Sequence, residues 1–142
     1  MGNGGKGMND GWDKLLRAAR AVLNEREVSP FVYAGQVGAA VETERGNIYV
    51  GACVDGVCGL STCAERAALY AMLTAGEHRV RRVVAVKEKG VVPPCGACRE
   101  ALMQLMPDAG KIEILLREEP RRVCTLRELL PDWWGSDRFE EQ

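Results

Sequence analysis

Two short stretches carry residues able to do chemistry. Cys63 and Glu65 stand two apart in STCAERAALYAML (61–73), and Cys95 and Cys98 stand three apart in PPCGACREALMQLM (93–106). Both stretches read as helix starts. Residues i and i+3 in a first helical turn bring their sulfurs within reach of one ion. A helix N-terminus carries free N–H groups and partial positive charge, which favours the thiolate that binds metal. Three thiolates suit Zn²⁺. A structural zinc site takes four protein ligands and a catalytic one takes three and a water, so three aligned cysteines point to an open fourth position. Glu65 would face that position and move a proton between water and substrate. Arg66, next in sequence, is placed to hydrogen-bond a thiolate and return positive character to the site.

Each residue also has a plainer reading. Thr62-Cys63-Ala64-Glu65 fits a capping box, in which Thr62 and Glu65 satisfy helix-terminal N–H groups. Cys95-Gly-Ala-Cys98 fits a redox pair. Six cysteines (53, 58, 63, 95, 98 and 124) would allow three disulfides. Cys53 or Cys58 would close the zinc site as a fourth ligand and make it a structural module without catalysis. Taken together, Cys63-x-Glu65 and Pro94-Cys95-x-x-Cys98 match the all-cysteine form of the zinc deaminase signature.

The elements that must hold these residues follow from periodicity. WDKLLRAARAVLNE (12–25) has apolar residues at helical spacing. Residues 37–42 and 48–54 alternate about Arg45-Gly46-Asn47 as a hairpin. Residues 62–74 read as a helix, 80–86 as a β-branched strand, 95–106 as a helix stopped by Pro107, and 112–116 as a strand. Residues 122–124 suggest a short last strand and 126–130 a helical turn. This order implies an α/β fold, a three-layer α-β-α sandwich on a mixed five-stranded sheet. Residues 1–10, with four glycines, read as a flexible leader, and 11–142 as one domain.

Composition narrows the function further. The 142 residues are 46% hydrophobic with a formal net charge of -1, which gives no electrostatic case for polynucleotide or an anionic membrane. HRVRR (78–82) is the one basic cluster and reads as a solvated strand edge. No apolar run is long enough to span a bilayer and no signal peptide is visible, so a cytoplasmic, thiol-reducing setting is expected.

From Ser29 to Gly135 the chain resembles the small homotetrameric cytidine deaminases and the related blasticidin-S deaminases. The resemblance rests on VGAAV (37–41), STCAERAA (61–68), PPCGACREAL (93–102) and LRELLPDWWG (126–135). It implies one zinc per chain on Cys63, Cys95 and Cys98, Glu65 as proton shuttle and Arg66 steadying the thiolates. The backbone around Ala64 would meet the base, and a homotetramer would carry Trp134 to a neighbouring subunit's site. The substrate would be a small nucleoside-like molecule: cytidine or deoxycytidine first, a bulkier cytosine nucleoside such as blasticidin S second, a related amino-heterocycle third. Two positions depart from the family. Cys53-Val54-Asp55 stands where an Asn-x-Glu pair holds the ribose hydroxyls, leaving Asp55 as a shorter carboxylate and Cys53 without an amide's hydrogen-bonding pair. Gly35 stands where an aromatic faces the pyrimidine, with Phe31 and Tyr33 upstream as candidate replacements.

Overall fold

The computed structural model describes residues 10–140; the leader expected at 1–10 therefore lies, apart from Asp10, outside the described residues. Helix α1 (Trp12–Ala21) is followed by β1 (Arg26–Glu27), β2 (Tyr33–Thr43) and β3 (Ile48–Asp55). Then come α2 (Ala64–Thr74), β4 (Val80–Lys87), β5 (Gly90–Val91) and α3 (Gly96–Met103). The described residues end with β6 (Glu113–Arg117), β7 (Arg122–Thr125), α4 (Leu126–Leu129) and α5 (Ser136–Glu140).

Among the described residues the sheet has seven strands. The five expected are present, and the two-residue β1 and β5 add to them. β2 pairs antiparallel with β3 and with β4; β4 pairs parallel with β6, and β6 antiparallel with β7. The single parallel pair makes the sheet mixed, because α3 crosses over between β4 and β6. Strand alternation then divides the core. Val41, Val83 and Ile114 face one way, against Ala68, Leu69 and Met72 of α2 and Leu102 of α3. Ala40, Val84, Val86 and Leu115 face the other way, against Trp12, Leu15, Leu16 and Ala19 of α1. Three layers result, as the pattern of elements implies.

α2 is the helix that matters most for the site. AERAALYAMLT is rich in strong helix formers and carries its one β-branched residue last. It closes in a Schellman motif: Gly76 has φ +95, its N–H reaches the Leu73 carbonyl at 3.0 Å and the Glu77 N–H reaches that of Met72 at 3.2 Å. α2 lies close on β3 because Gly51 has no side chain. A Cβ there would stand 2.4 Å from the Ala68 nitrogen and 2.8 Å from the Ala64 oxygen.

Three boundaries differ from the sequence pattern. α1 stops at Ala21, because the Asn24 N–H is taken by the Gly35 carbonyl at 3.1 Å and the chain turns into β1. α2 begins at Ala64, since Thr62 bridges to Val54 of β3 instead of entering the helix. α3 ends at Met103, three residues short of the expected Met106; Pro107 disfavours helical geometry at the residue before it. The basic segment differs at Arg82, while His78 and Arg81 are exposed as expected. Arg82 is buried, 6% exposed, because Trp12 lies under its guanidinium at 5.2 Å and Glu42 pairs with it at 3.0 Å. No helix among the described residues is long and apolar enough to cross a membrane.

Candidate active site

The starts of α2 and α3 face each other across the end of the sheet. Cys63 is the N-cap of α2 and Cys95 the N-cap of α3. Cys98 lies in the first turn of α3, so all three sulfurs sit beside helix-terminal N–H groups. The Cys63 and Cys95 sulfurs are 3.4 Å apart, those of Cys95 and Cys98 are 3.6 Å apart, and all three lie within 4.8 Å of one another. A tetrahedral zinc ion with ~2.3 Å bonds would hold its sulfurs ~3.8 Å apart. The donor set and its spacing fit that ion.

Among the described residues the cluster holds these three ligands and no fourth. Cys58 is exposed and Cys53 is engaged elsewhere, and all six thiols are free, so neither the disulfide framework nor the closed four-sulfur site is formed. Arg66 Nη2 donates to the Cys63 sulfur at 3.5 Å. Partial burial pushes the Cys95 thiol up; N–H groups of Cys98 and Ala97 and the neighbouring Cys63 and Cys98 thiols outweigh it, and the net direction is down. Burial pushes the Cys98 thiol up, and the Glu65 charge adds to this.

The capping box of Thr62 and Glu65 is not formed. The N-cap is Cys63, without a side-chain cap hydrogen bond, and the carboxyl points into the site with Oε1 3.9 Å from the Cys98 sulfur. The capping-box pattern is realised instead at Thr125 and Glu128. Glu65 is 6% exposed, and burial raises its pKa above the ordinary carboxylate value, with a hydrogen bond from its own backbone N–H and then the Arg66 charge opposing the rise. A carboxyl shifted this way, next to a metal-binding corner, is suited to exchanging protons.

A cavity of about 320 Å³ opens onto this corner, within the range of small-molecule sites. Cys63, Ala64, Glu65, Arg66 and Cys95 line its inner end. Gln36, Val37, Cys53 and Asp55 line its outer end, and Val92 and Pro93 also border it. The outer end exists because β2 is bulged. Ala34 pairs with Val54, and the next paired residue, Gly38, meets Ala52. Gly35, Gln36 and Val37 thus stand opposite Cys53 alone, and a bulge of this kind re-aims side chains. The Val37 N–H reaches the Cys53 sulfur at 3.3 Å, the Cys53 thiol reaches Gln36 Oε1 at 3.0 Å, and Gln36 Nε2 donates to Asp55 Oδ2 at 2.8 Å.

Several expected residues are placed elsewhere. The Tyr33 hydroxyl donates to Glu25 at 2.7 Å, and neither Tyr33 nor the exposed Phe31 lines the cavity; the bulge after Ala34 separates both from it. Gly35 has φ +87, and a Cβ there would lie 2.0 Å from the Asn24 carbonyl oxygen, so no aromatic fits this backbone. Trp134 is 61% exposed, donates to Glu100 at 3.1 Å and lies outside the cavity of its own chain. Gln36 was not singled out by sequence pattern. Its signal is present only as a polar residue beside a glycine within an apolar strand, a place where bulges occur.

Residues 13–112 match the family described as the cytidine and deoxycytidylate deaminase zinc-binding region. The chain belongs to this family. It is 37% identical over 108 residues to a cytidine deaminase of Halalkalibacterium halodurans, covering 75% of this chain and 82% of that protein. A blasticidin-S deaminase of Bacillus cereus is 30% identical over 106 residues, covering 67% of this chain and 74% of that protein. The crystal structure of cytidine deaminase from Mycobacterium tuberculosis superposes with a TM-score of 0.71 at 30% identity, covering 87% of this chain and 97% of that one. The enzyme is a zinc-dependent hydrolytic deaminase, and its three-sulfur cluster fits the zinc that the family binds.

Proposed function

We propose that the enzyme deaminates a cytosine nucleoside, cytidine or deoxycytidine, to uridine or deoxyuridine and ammonia. The observation that carries this reading is the buried Glu65 carboxyl beside three converging sulfurs at one end of a nucleoside-sized cavity. Cys63, Cys95 and Cys98 would hold one zinc ion, which when bound supplies a Lewis acid that makes hydroxide available near neutral pH. Glu65 accepts a proton from the attacking water and delivers it to the substrate, so the amino group departs as ammonia and a carbonyl remains. Ala64, fully buried at the N-terminus of α2, presents backbone to the ring. Arg66 steadies the Cys63 sulfur and offsets the charge of three thiolates.

Residues 11–142 would act as one deaminase domain. A homotetramer is supported by the exposed Trp134 and by Val50 and Val54, exposed on β3. A cytoplasmic setting accords with six free thiols. Blasticidin S is the second candidate substrate, favoured by the Bacillus cereus relative. The test follows ammonia release by the zinc-loaded protein from cytidine, deoxycytidine, cytosine and blasticidin S, with Glu65→Gln as control. Turnover of a cytidine, lost in the control, supports the reading. Release from blasticidin S alone replaces it with the second one, and silence on all four overturns both.

A further inference from the structure

We propose that Gln36 is a specificity-determining residue, whose carboxamide grips a hydroxyl of the sugar. The proposal rests on the deaminase reading above and extends it to the outer end of the cavity.

The orientation of the amide is settled by its neighbours. Asp55, as a carboxylate, only accepts, so the side of Gln36 facing Oδ2 at 2.8 Å must be the NH₂ group. Oε1 then faces Cys53, whose thiol donates to it at 3.0 Å while the sulfur accepts from the Val37 N–H at 3.3 Å. Turning the amide over would set a carbonyl oxygen against a carboxylate. The chain Val37 N–H, Cys53 thiol, Gln36 amide, Asp55 carboxylate therefore has one direction.

This chain leaves an unused pair at the cavity mouth. Gln36 retains its second N–H and Asp55 its second oxygen, Oδ1, after the contacts named. One donor beside one acceptor is what a hydroxyl needs, since it accepts one hydrogen bond and gives one. Glu65 is buried at the inner end, while Gln36 is half-buried and Asp55 exposed at the outer end. A ring that brings its amino group to Glu65 thus presents a hydroxylated substituent to Gln36 and Asp55. The amide at this edge is supplied by β2, and the Cys53 thiol of β3 serves as the bracket that holds it.

The experiment is steady-state deamination of cytidine by zinc-loaded wild type, Gln36→Met and Gln36→Glu, each checked for zinc content and thermal midpoint. Methionine keeps the length and removes both hydrogen-bonding ends; glutamate keeps an acceptor and removes the donor beside Asp55. KM for cytidine should rise about tenfold in both, the worth of one such hydrogen bond, and by more than kcat falls. A KM within twofold of wild type in either variant, or a loss carried by kcat alone, overturns the proposal. Should wild type release no ammonia from cytidine, the substrate reading falls separately. The same variants are then titrated with uridine by calorimetry, where the proposal still requires about tenfold weaker binding and equal binding overturns it.

Discussion

The inner end of the cavity is built by two helix N-termini, and its outer end by a bulged pair of strands. At the inner end Cys63 and Cys95 are N-caps, and Cys98 and Glu65 follow within one turn, so helical spacing fixes which atoms meet. At the outer end Gln36, Cys53 and Asp55 meet because three residues of β2 stand opposite one of β3. The first arrangement depends on residue type at fixed spacing and tolerates few replacements. The second depends on register, so residues can be exchanged between strands while the pocket keeps its polarity. A deaminase built this way can change what it grips without disturbing how it moves a proton.

The largest effect should come from the inner end. Cys98 is 1% exposed and completes the sulfur cluster, and a serine hydroxyl is a far poorer zinc ligand than a thiolate. Cys98→Ser should lose its zinc, measured by atomic absorption, and all detectable ammonia release. Chelation of wild type should do the same and lower the thermal midpoint. An ion that binds only the folded chain stabilises it by about 2.7 kcal/mol at a hundred times its Kd. Full zinc content and turnover in Cys98→Ser would mean that the helical spacing does not define the site.

Glu65→Gln separates metal binding from proton transfer within that same end. Glutamine preserves shape and burial but cannot carry the proton, so kcat should fall by about 10³-fold while zinc content stays at the wild-type level. Activity within tenfold of wild type would remove Glu65 from the chemistry and leave it as packing beside Cys98.

The two ends also differed in how far they were legible in the sequence. Within each half of the zinc cluster, Cys63 with Glu65 and Arg66 and Cys95 with Cys98, the spacing is two or three residues and the helix supplies the geometry; that the two halves, 32 residues apart, meet at one ion was legible only from their match to the zinc deaminase signature. The three layers were readable for the same reason, since each element's own period sets its buried face. What escaped was what depends on partners that neither local spacing nor a signature links. The bulge joins residue 36 to residues 53 and 55 across a hairpin, and no single-chain period reports a register shift. Arg82 looked solvated because Trp12 and Glu42, which cover it, lie seventy and forty residues away. Gly35 looked like a missing aromatic; in the structure it is a backbone conformation.

That difference can be sharpened by comparing two glycines with the same dihedral. Gly35 and Gly46 have φ +87 and φ +88. A Cβ at Gly46, in the β2–β3 turn, would meet nothing within 4 Å, whereas one at Gly35 would lie 2.0 Å from the Asn24 oxygen. Gly46→Ala should therefore cost only the left-handed backbone, about 1–2 kcal/mol by denaturant unfolding, with KM for cytidine unchanged. Gly35→Ala should cost the same plus the displacement of Asn24. Because Gln36 is the next residue, it should also raise KM, with zinc content unaltered. If the two variants lose equal stability and neither changes KM, the bulge yields without moving Gln36. The outer end would then be set by its side chains alone, unlike the inner end, where helical backbone fixes the spacing.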